Sequence, residues 1–304
     1  MPAPMNLLLL LASELVQDAE DSGDAGSQTA VLSCDDPRTK HVRSHLKKQD
    51  DDTVAIGVIN GGVGRAMVRW LEAGHATDAR LQCLHLTVAH GALVPPPARP
   101  NVDLVLGMPQ PKCLLRLWPV LASMGVSRII VVSSALSDPA YNNASALRPD
   151  LYAPLIQEGM AQAGDPRVPS VLIRTGTALE EALCELESAG AGDGSSDDAV
   201  AGSQQARLLL DLPLPGGGVG AELSVRQALL TQARDLGRIA RTVLAIGPER
   251  GWTSDEAHAF ASDHRFVRAS LGPATLRTDV ACAAGLALAG ETLRELLQLQ
   301  LQPG

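Results

Sequence analysis

Apolar positions follow two different patterns along this chain. Up to about residue 90 they form short runs broken by turn residues. Val54–Ile59 reads as a strand, and Asn60-Gly61-Gly62 as a hairpin turn, because these residues tolerate positive φ. Ala66–Trp70 reads as the returning strand, and Leu81–Ala89 as another, with Leu81, Cys83 and His85 alternating against Leu84 and Leu86. Met5–Leu11 is apolar, too short to span a bilayer and preceded by no basic residue, so it reads as a first buried strand. This part, residues 1–94, is predicted to be a small β-barrel.

Pro95-Pro96-Pro97 and Pro100 then stiffen the chain, and the domain boundary is placed there. Beyond it strands alternate with helices. Val102–Met108, Arg128–Val132, Ser170–Ile173 and Arg207–Leu212 read as strands, the first as a continuous apolar run of the kind buried in parallel sheets. Pro111–Met124, stopped by Gly125, reads as a helix, as do Asp150–Ala163, Thr177–Ala189, Val225–Arg234 and Asp279–Gln300. Such alternation predicts an α/β domain over residues 95–304 with a mainly parallel sheet. Residues 190–205, rich in Gly, Ser, Ala and Asp at their start, read as a mobile insertion. The last helix carries Ala281, Ala283, Ala284, Gly285, Ala287, Ala289 and Gly290, a thin surface that suits close packing.

Two further strands, Val243–Ile246 and Phe266–Leu271, each run into a Gly-Pro turn: Gly247-Pro248-Glu249-Arg250-Gly251-Trp252, and Gly272-Pro273-Ala274-Thr275-Leu276-Arg277. Glycine lets backbone approach a ligand closely and proline stiffens the loop. Side by side, two such loops suit a flat ligand gripped by backbone amides.

Composition narrows the chemistry. The 304 residues suffice for two domains, and with 2% aromatic residues the core rests on Leu, Val, Ile and Ala. A net charge of −9 argues against a generic polyanion binder, so any nucleic-acid contact must be local. Arg38, Lys40, Arg43, Lys47 and Lys48 cluster with His41 and His45, between Asp35-Asp36 and Asp50-Asp51-Asp52. The cluster reads either as a solvated helix face or as a phosphate-binding patch. The five cysteines show no CxxC pair and the histidines no complete ligand set, so neither a disulfide framework nor a metal is expected.

The paired loops resemble those of the small-subunit ribosomal RNA uracil-N3 methyltransferases of the SPOUT superfamily. In that family a Gly-Pro-Glu-Gly-Gly loop is followed by Leu-Gly-Pro-Arg-Ile-Leu-Arg and then by Glu-Thr-Ala at the start of the last helix. Gly247, Pro248, Glu249 and Gly251 match the first loop, Leu271, Gly272, Pro273, Leu276 and Arg277 the second, and Ala281 the helix start. Arg250, Ala274, Asp279 and Val280 depart from the pattern. Weaker landmarks are Pro111-Lys112, Gly125-Val126 with Arg128-Ile129, and His41-Val42-Arg43-Ser44-His45-Leu46.

The resemblance implies a PUA-like barrel that binds RNA, followed by a trefoil-knotted α/β domain. It implies a cytoplasmic homodimer that methylates uridine N3 in the small ribosomal subunit, with S-adenosylmethionine as cofactor. The cofactor site would be formed by Leu212, Ile246, Gly247, Gly251, Leu271, Gly272 and Leu276. Arg277 is the catalytic candidate, and Arg38, Lys40, His41, Arg43 and Lys47 are the RNA-binding candidates. The competing expectation, motivated by Arg250, Ala274, Asp279 and Val280, is a non-catalytic RNA-binding or ribosome-assembly protein that keeps the fold; Arg250 either folds outward and leaves the pocket open or fills it. A dinucleotide site at Gly216–Ala221 is disfavoured, because Pro213 and Pro215 separate its glycines from the strand.

Overall fold

The computed structural model describes residues 7–17, 26–71, 83–189, 204–211, 223–237, 239–262 and 264–300. It divides into two compact units, residues 1–98 with 160–168, and residues 99–159 with 169–304. Residues 160–168 belong with the first unit although the sequence reading assigns them to the second domain. Within that unit the Leu7 N–H donates to the Ala161 carbonyl (2.9 Å), and the Asn60 N–H to the Pro166 carbonyl (2.9 Å).

The first unit is built on a six-stranded sheet in the order β1-β4-β5-β6-β3-β2. Its elements are β1 (Leu8–Leu10), β2 (Val16–Gln17), β3 (Gln28–Leu32), α1 (Pro37–Ser44), β4 (Thr53–Val58), β5 (Val63–Leu71) and β6 (Cys83–Val88). β1 runs parallel to β4 and the other pairings are antiparallel. The β4–β5 hairpin turns at Asn60, whose φ of 56° is the conformation its Asn-Gly-Gly sequence favours. In β6, Leu84, Leu86 and Val88 are buried while Cys83, His85 and Thr87 stay partly exposed, the period of two predicted there. Leu10, Ile56, Val68 and Val42 of α1 close this core.

Asp36 caps α1, its carboxylate accepting from the Arg38 N–H at 2.8 Å, and Pro37 opens the first turn. The Arg38 guanidinium donates to Glu14 (2.6 Å), to Asp36 (2.7 Å) and to the Leu9 carbonyl (3.0 Å). Arg38 therefore ties strand, turn and helix together. Its hydrogen bonds hold the Glu14 and Asp36 carboxyls below their ordinary values of 4.5 and 3.8. Depressed carboxyl pKa values stabilise the fold above the unfolded-state values, and that contribution is lost as the pH falls through the folded ones. Arg38→Met is thus expected to lower the urea midpoint at neutral pH and to flatten its decline below about pH 4.5. An acid limb as steep as that of the wild type would remove the clamp.

The second unit is a six-stranded, wholly parallel sheet in the order β12-β10-β11-β7-β8-β9. The strands are β7 (Asn101–Gly107), β8 (Arg128–Val132), β9 (Ser170–Arg174), β10 (Gln204–Leu210), β11 (Ile239–Ile246) and β12 (Val267–Ala269). They alternate with α2 (Pro111–Ser123), α3 (Pro149–Ala163), α4 (Leu179–Ala189), α5 (Val225–Leu236), α6 (Ser254–Ser262) and α7 (Thr278–Gln300). Every residue of β8 is buried, as expected for a strand covered on both faces.

The sequence reading missed α6, β2 and β3. It also drew β12 too long, from Phe266 to Leu271. Phe266 is buried by edge-on packing against Phe260, which in turn packs on Trp252, so its burial comes from α6 and not from strand pairing. Of the predicted insertion over 190–205, Gln204 and Gln205 open β10, because β11 pairs them there, and the rest lies outside the described residues.

Asp103 of β7 is fully buried, with Arg128 at 2.8 Å and Arg241 at 3.1 Å. α7 lies on β11 and β7 with Gly285 against the sheet, where a Cβ would stand 2.6 Å from the Leu210 Cδ1. Gly285 therefore serves packing on the helix's own sheet, while Gly290 has open space beside it and Val280, Ala287 and Leu288 stay exposed. No helix among the described residues is long and apolar enough to cross a membrane.

Candidate functional site

Three neighbouring strands, β12, β10 and β11, end at one edge of the parallel sheet, and a cavity lies beyond those ends. Carboxyl ends of parallel strands are where α/β folds place ligands, since the loops leaving them converge there. The cavity is lined by Leu210 and Asp211 after β10, by Ile246, Gly247, Pro248, Glu249 and Gly251 after β11, and by Leu271, Gly272, Ala274 and Leu276 after β12. Thr278 and Ala281 of α7 complete it. The cavity is open to solvent.

The first loop is a tight turn, with the Gly251 N–H bonded to the Pro248 carbonyl at 2.9 Å and Gly251 at a φ of 73°. A Cβ on Gly247 would stand 3.0 Å from the Gly251 backbone, so the turn closes onto that glycine. Gly107, at the end of β7, leaves room for the same loop, since a Cβ there would meet the Pro248 Cδ at 2.6 Å. The Glu249 carboxylate accepts from the Gln110 N–H (3.1 Å) and anchors the loop to the start of α2. The second loop turns at Gly272, φ 113°, whose N–H donates to the Ser270 hydroxyl at 3.1 Å.

Ile246, Gly247, Gly251, Leu271, Gly272 and Leu276 are thus brought to one cavity, while Leu212 and the Gly216–Ala221 motif lie outside the described residues. Arg250 stands at the tip of the first turn, exposed and away from the lining. Its φ is not positive, so a side chain at this position strains nothing. Arg277 is also off the lining. It is 70% exposed and donates to Asp279 at 2.8 Å. Asp279 sits inside the first turn of α7 and not at its cap, because the Ala281 N–H bonds the Arg277 carbonyl.

The sequence reading overlooked Asp211. Its carboxylate is 10% exposed and accepts from Arg268 of β12 at 2.9 Å. The available signal was a polar residue directly after a buried parallel strand.

In the first unit the basic candidates take different places. Arg38 is committed to the clamp described above. Lys40 is exposed, 3.7 Å from Asp35. The His41 and His45 rings stack at 5.2 Å, and burial, then the nearby His45, pushes the His41 pKa down. The Arg43 guanidinium lies 4.3 Å over the Trp70 ring, and Lys47 is exposed at a φ of 51°. The flanking aspartates are used locally. Asp50 accepts from the Trp70 N–H (2.7 Å), Asp52 accepts from the Gln49 N–H (2.9 Å), and Asp51 pairs with Arg69 (3.1 Å). No group of three candidate metal ligands occurs among the described residues.

Comparison with known proteins agrees with the geometry. The RNA methyltransferase domain family matches residues 217–290. Ribosomal RNA small subunit methyltransferase E of Treponema pallidum is 26% identical over 286 residues, covering 93% of this chain and 90% of that protein. The fold is shared with a ribosomal RNA small subunit methyltransferase E from Neisseria gonorrhoeae, solved bound to S-adenosyl methionine, at TM-score 0.61 and 18% identity over 93% of this chain and 96% of that one. It is also shared with a Legionella pneumophila protein named as a methyltransferase and solved with the same cofactor, at TM-score 0.55 and 16% identity over 93% and 96% of the two chains. Residues 217–290 thus match an RNA methyltransferase domain, and over nearly its whole length the chain is similar to a ribosomal RNA small subunit methyltransferase E.

Proposed function

We propose that this chain transfers a methyl group from S-adenosylmethionine to N3 of a uridine in small-subunit ribosomal RNA. The observation that carries the reading is the single cavity formed by both Gly-Pro loops at the ends of three adjacent strands. The residues present fit the cofactor. Gly247, Gly251 and Gly272 bring backbone without side chains to the cavity wall, and Leu210, Ile246, Leu271 and Leu276 supply apolar surface for a purine.

The bound cofactor supplies a methyl group already activated by its sulfonium. The chain must then hold the acceptor in line, exclude water and stabilise the uracil anion left when N3 loses its proton. Arg277, beside the second loop, is the donor proposed for that anion. Glu249 lines the cavity and is the carboxylate proposed to receive the proton, while Asp279 is engaged by arginines. The first unit is proposed as a PUA-like barrel in which Arg43 and Lys47 meet RNA phosphates, with Arg38 holding α1 in place.

Two further assignments belong to this reading. The strand order β12-β10-β11, followed by α7 back on β11 and β7, supports a trefoil knot. The exposed Val280 and Leu288 of α7 support a homodimer, and the reading as a whole places the protein in the cytoplasm.

Calorimetry with S-adenosylmethionine tests the proposal, and no heat of binding at millimolar ligand would end it. The same titration addresses the non-catalytic alternative. Because Arg250 is exposed and not part of the cavity wall, Arg250→Gly is expected to leave affinity within about twofold, as for a surface change that touches no ligand. A large gain in affinity would show instead that the arginine obstructs the site.

A further inference from the structure

Two cations at the cavity end of the second unit share one carboxylate oxygen. Asp279 Oδ2 lies 2.8 Å from Arg277 and 3.8 Å from Arg116 of α2, while its Oδ1 accepts from the Val280 N–H at 3.1 Å. Asp279 is therefore held by its own helix and brings two guanidiniums together from different elements. One carboxylate offsets one of the two positive charges. The remaining charge sits beside Leu276, Thr278 and Ala281, all part of the cavity wall.

Arg116 is the less committed of the pair. Its side chain is 61% exposed, and 3.8 Å to Asp279 is longer than a hydrogen bond. The nearby Cys113 thiol is a weak acceptor and takes little of a guanidinium's five-donor capacity. Lys112, exposed one helical turn earlier, adds a second positive charge to that face of α2. Glu249, in the cavity wall and bonded to the Gln110 N–H at the start of α2, offsets a further charge, so Arg116, Arg277 and Lys112 against Asp279 and Glu249 leave one net positive charge at the mouth of the cavity in a chain of net charge −9.

We propose that Arg116 is a phosphate contact for the acceptor strand. Asp279 sets Arg277 toward the acceptor base and Arg116 toward the backbone phosphate next to it. Guanidinium suits this role because its planar fork pairs two phosphate oxygens at once. The inference rests on the RNA methyltransferase reading and adds to it a residue outside both glycine loops.

The test uses the full chain and a transcript of small-subunit ribosomal RNA, with binding followed across a salt series. Arg116→Ala is expected to weaken binding and to reduce the slope of log K against log salt by about one. Arg116→Lys, which keeps the charge, is expected to restore most of that slope. Arg294→Ala, at a remote exposed arginine of α7, is expected to leave it unchanged. S-adenosylmethionine affinity should be the same in wild type and Arg116→Ala.

An unchanged slope in Arg116→Ala overturns the inference, as does a loss of cofactor affinity without a change in slope, which would assign the guanidinium to the cofactor's carboxylate. A wild-type chain that binds the cofactor but no RNA also overturns it. A wild-type chain that binds no cofactor sinks the methyltransferase reading itself, whatever Arg116 does.

Discussion

Replacing Arg277 by alanine is expected to slow methyl transfer by about 100-fold, the size typical of one lost donor to a developing anion. The geometry makes this a test of chemistry and not of folding. The side chain is 70% exposed and its ion pair to Asp279 is a surface contact worth little to stability. Folded protein should therefore be recovered in normal yield, and cofactor affinity should be unchanged because Arg277 is not part of the cavity wall. Single-turnover rates at saturating RNA isolate the chemical step. A normal rate with a raised KM for RNA would move Arg277 from the base to the phosphate, and a normal rate with normal KM would remove it from the mechanism. Arg277→Lys sharpens the result, because it keeps the charge but loses the planar fork.

Asp103→Ala is expected to cost about 3–5 kcal/mol of stability, the loss seen when one partner of a buried ion pair is removed and the buried Arg128 loses its counter-charge. Asp103 is fully buried, and the Arg128 and Arg241 guanidiniums beside it are 8% and 27% exposed. Removing the carboxylate leaves two cations close together in the sheet, with the Arg128 Nε already lacking a partner. The measurement is the urea midpoint at constant m. Adding Arg128→Met to the variant should recover part of the loss, since it removes one of the stranded charges. A change below about 1 kcal/mol would mean that water or local rearrangement satisfies the arginines. The cluster lies near the amino ends of β7 and β8 while the cavity lies at the carboxyl ends of β10, β11 and β12, so molecules that remain folded should keep normal cofactor affinity.

What could be read in the chain divides along physical lines. Leu104, Val105 and Leu106 announce a strand buried on both faces, and Asn60-Gly61-Gly62 announces the hairpin, because both signals are local. The elements that went unread lack such a signal. β2 has two residues, both exposed, and pairs only at the sheet edge with β3. α6 is a nine-residue helix whose buried Ala257, Ala259 and Phe260 gain meaning from Trp252 and Phe266 on either side of it in sequence. The basic run from Arg38 to Lys48 looks uniform as a string, yet Arg38 is an internal tie and Arg43 rests on Trp70, because β1, the turn after it and β5 bring Leu9, Glu14 and Trp70 to them.

By itself the sequence determined the parallel-sheet domain, the two Gly-Pro loops and the positions where backbone must turn tightly. Hydrophobic period and glycine placement are properties of a few consecutive residues. Only the tertiary structure decided that the loops share a cavity. β11 and β12 are not neighbours, and β10 lies between them and adds Leu210 and Asp211 to the wall. Only the tertiary structure left Arg250 exposed and off the cavity wall and set Arg116 and Arg277 around Asp279. Strand order and helix docking are fixed by contacts between residues far apart in the chain, and no local pattern encodes which distant side chains will meet.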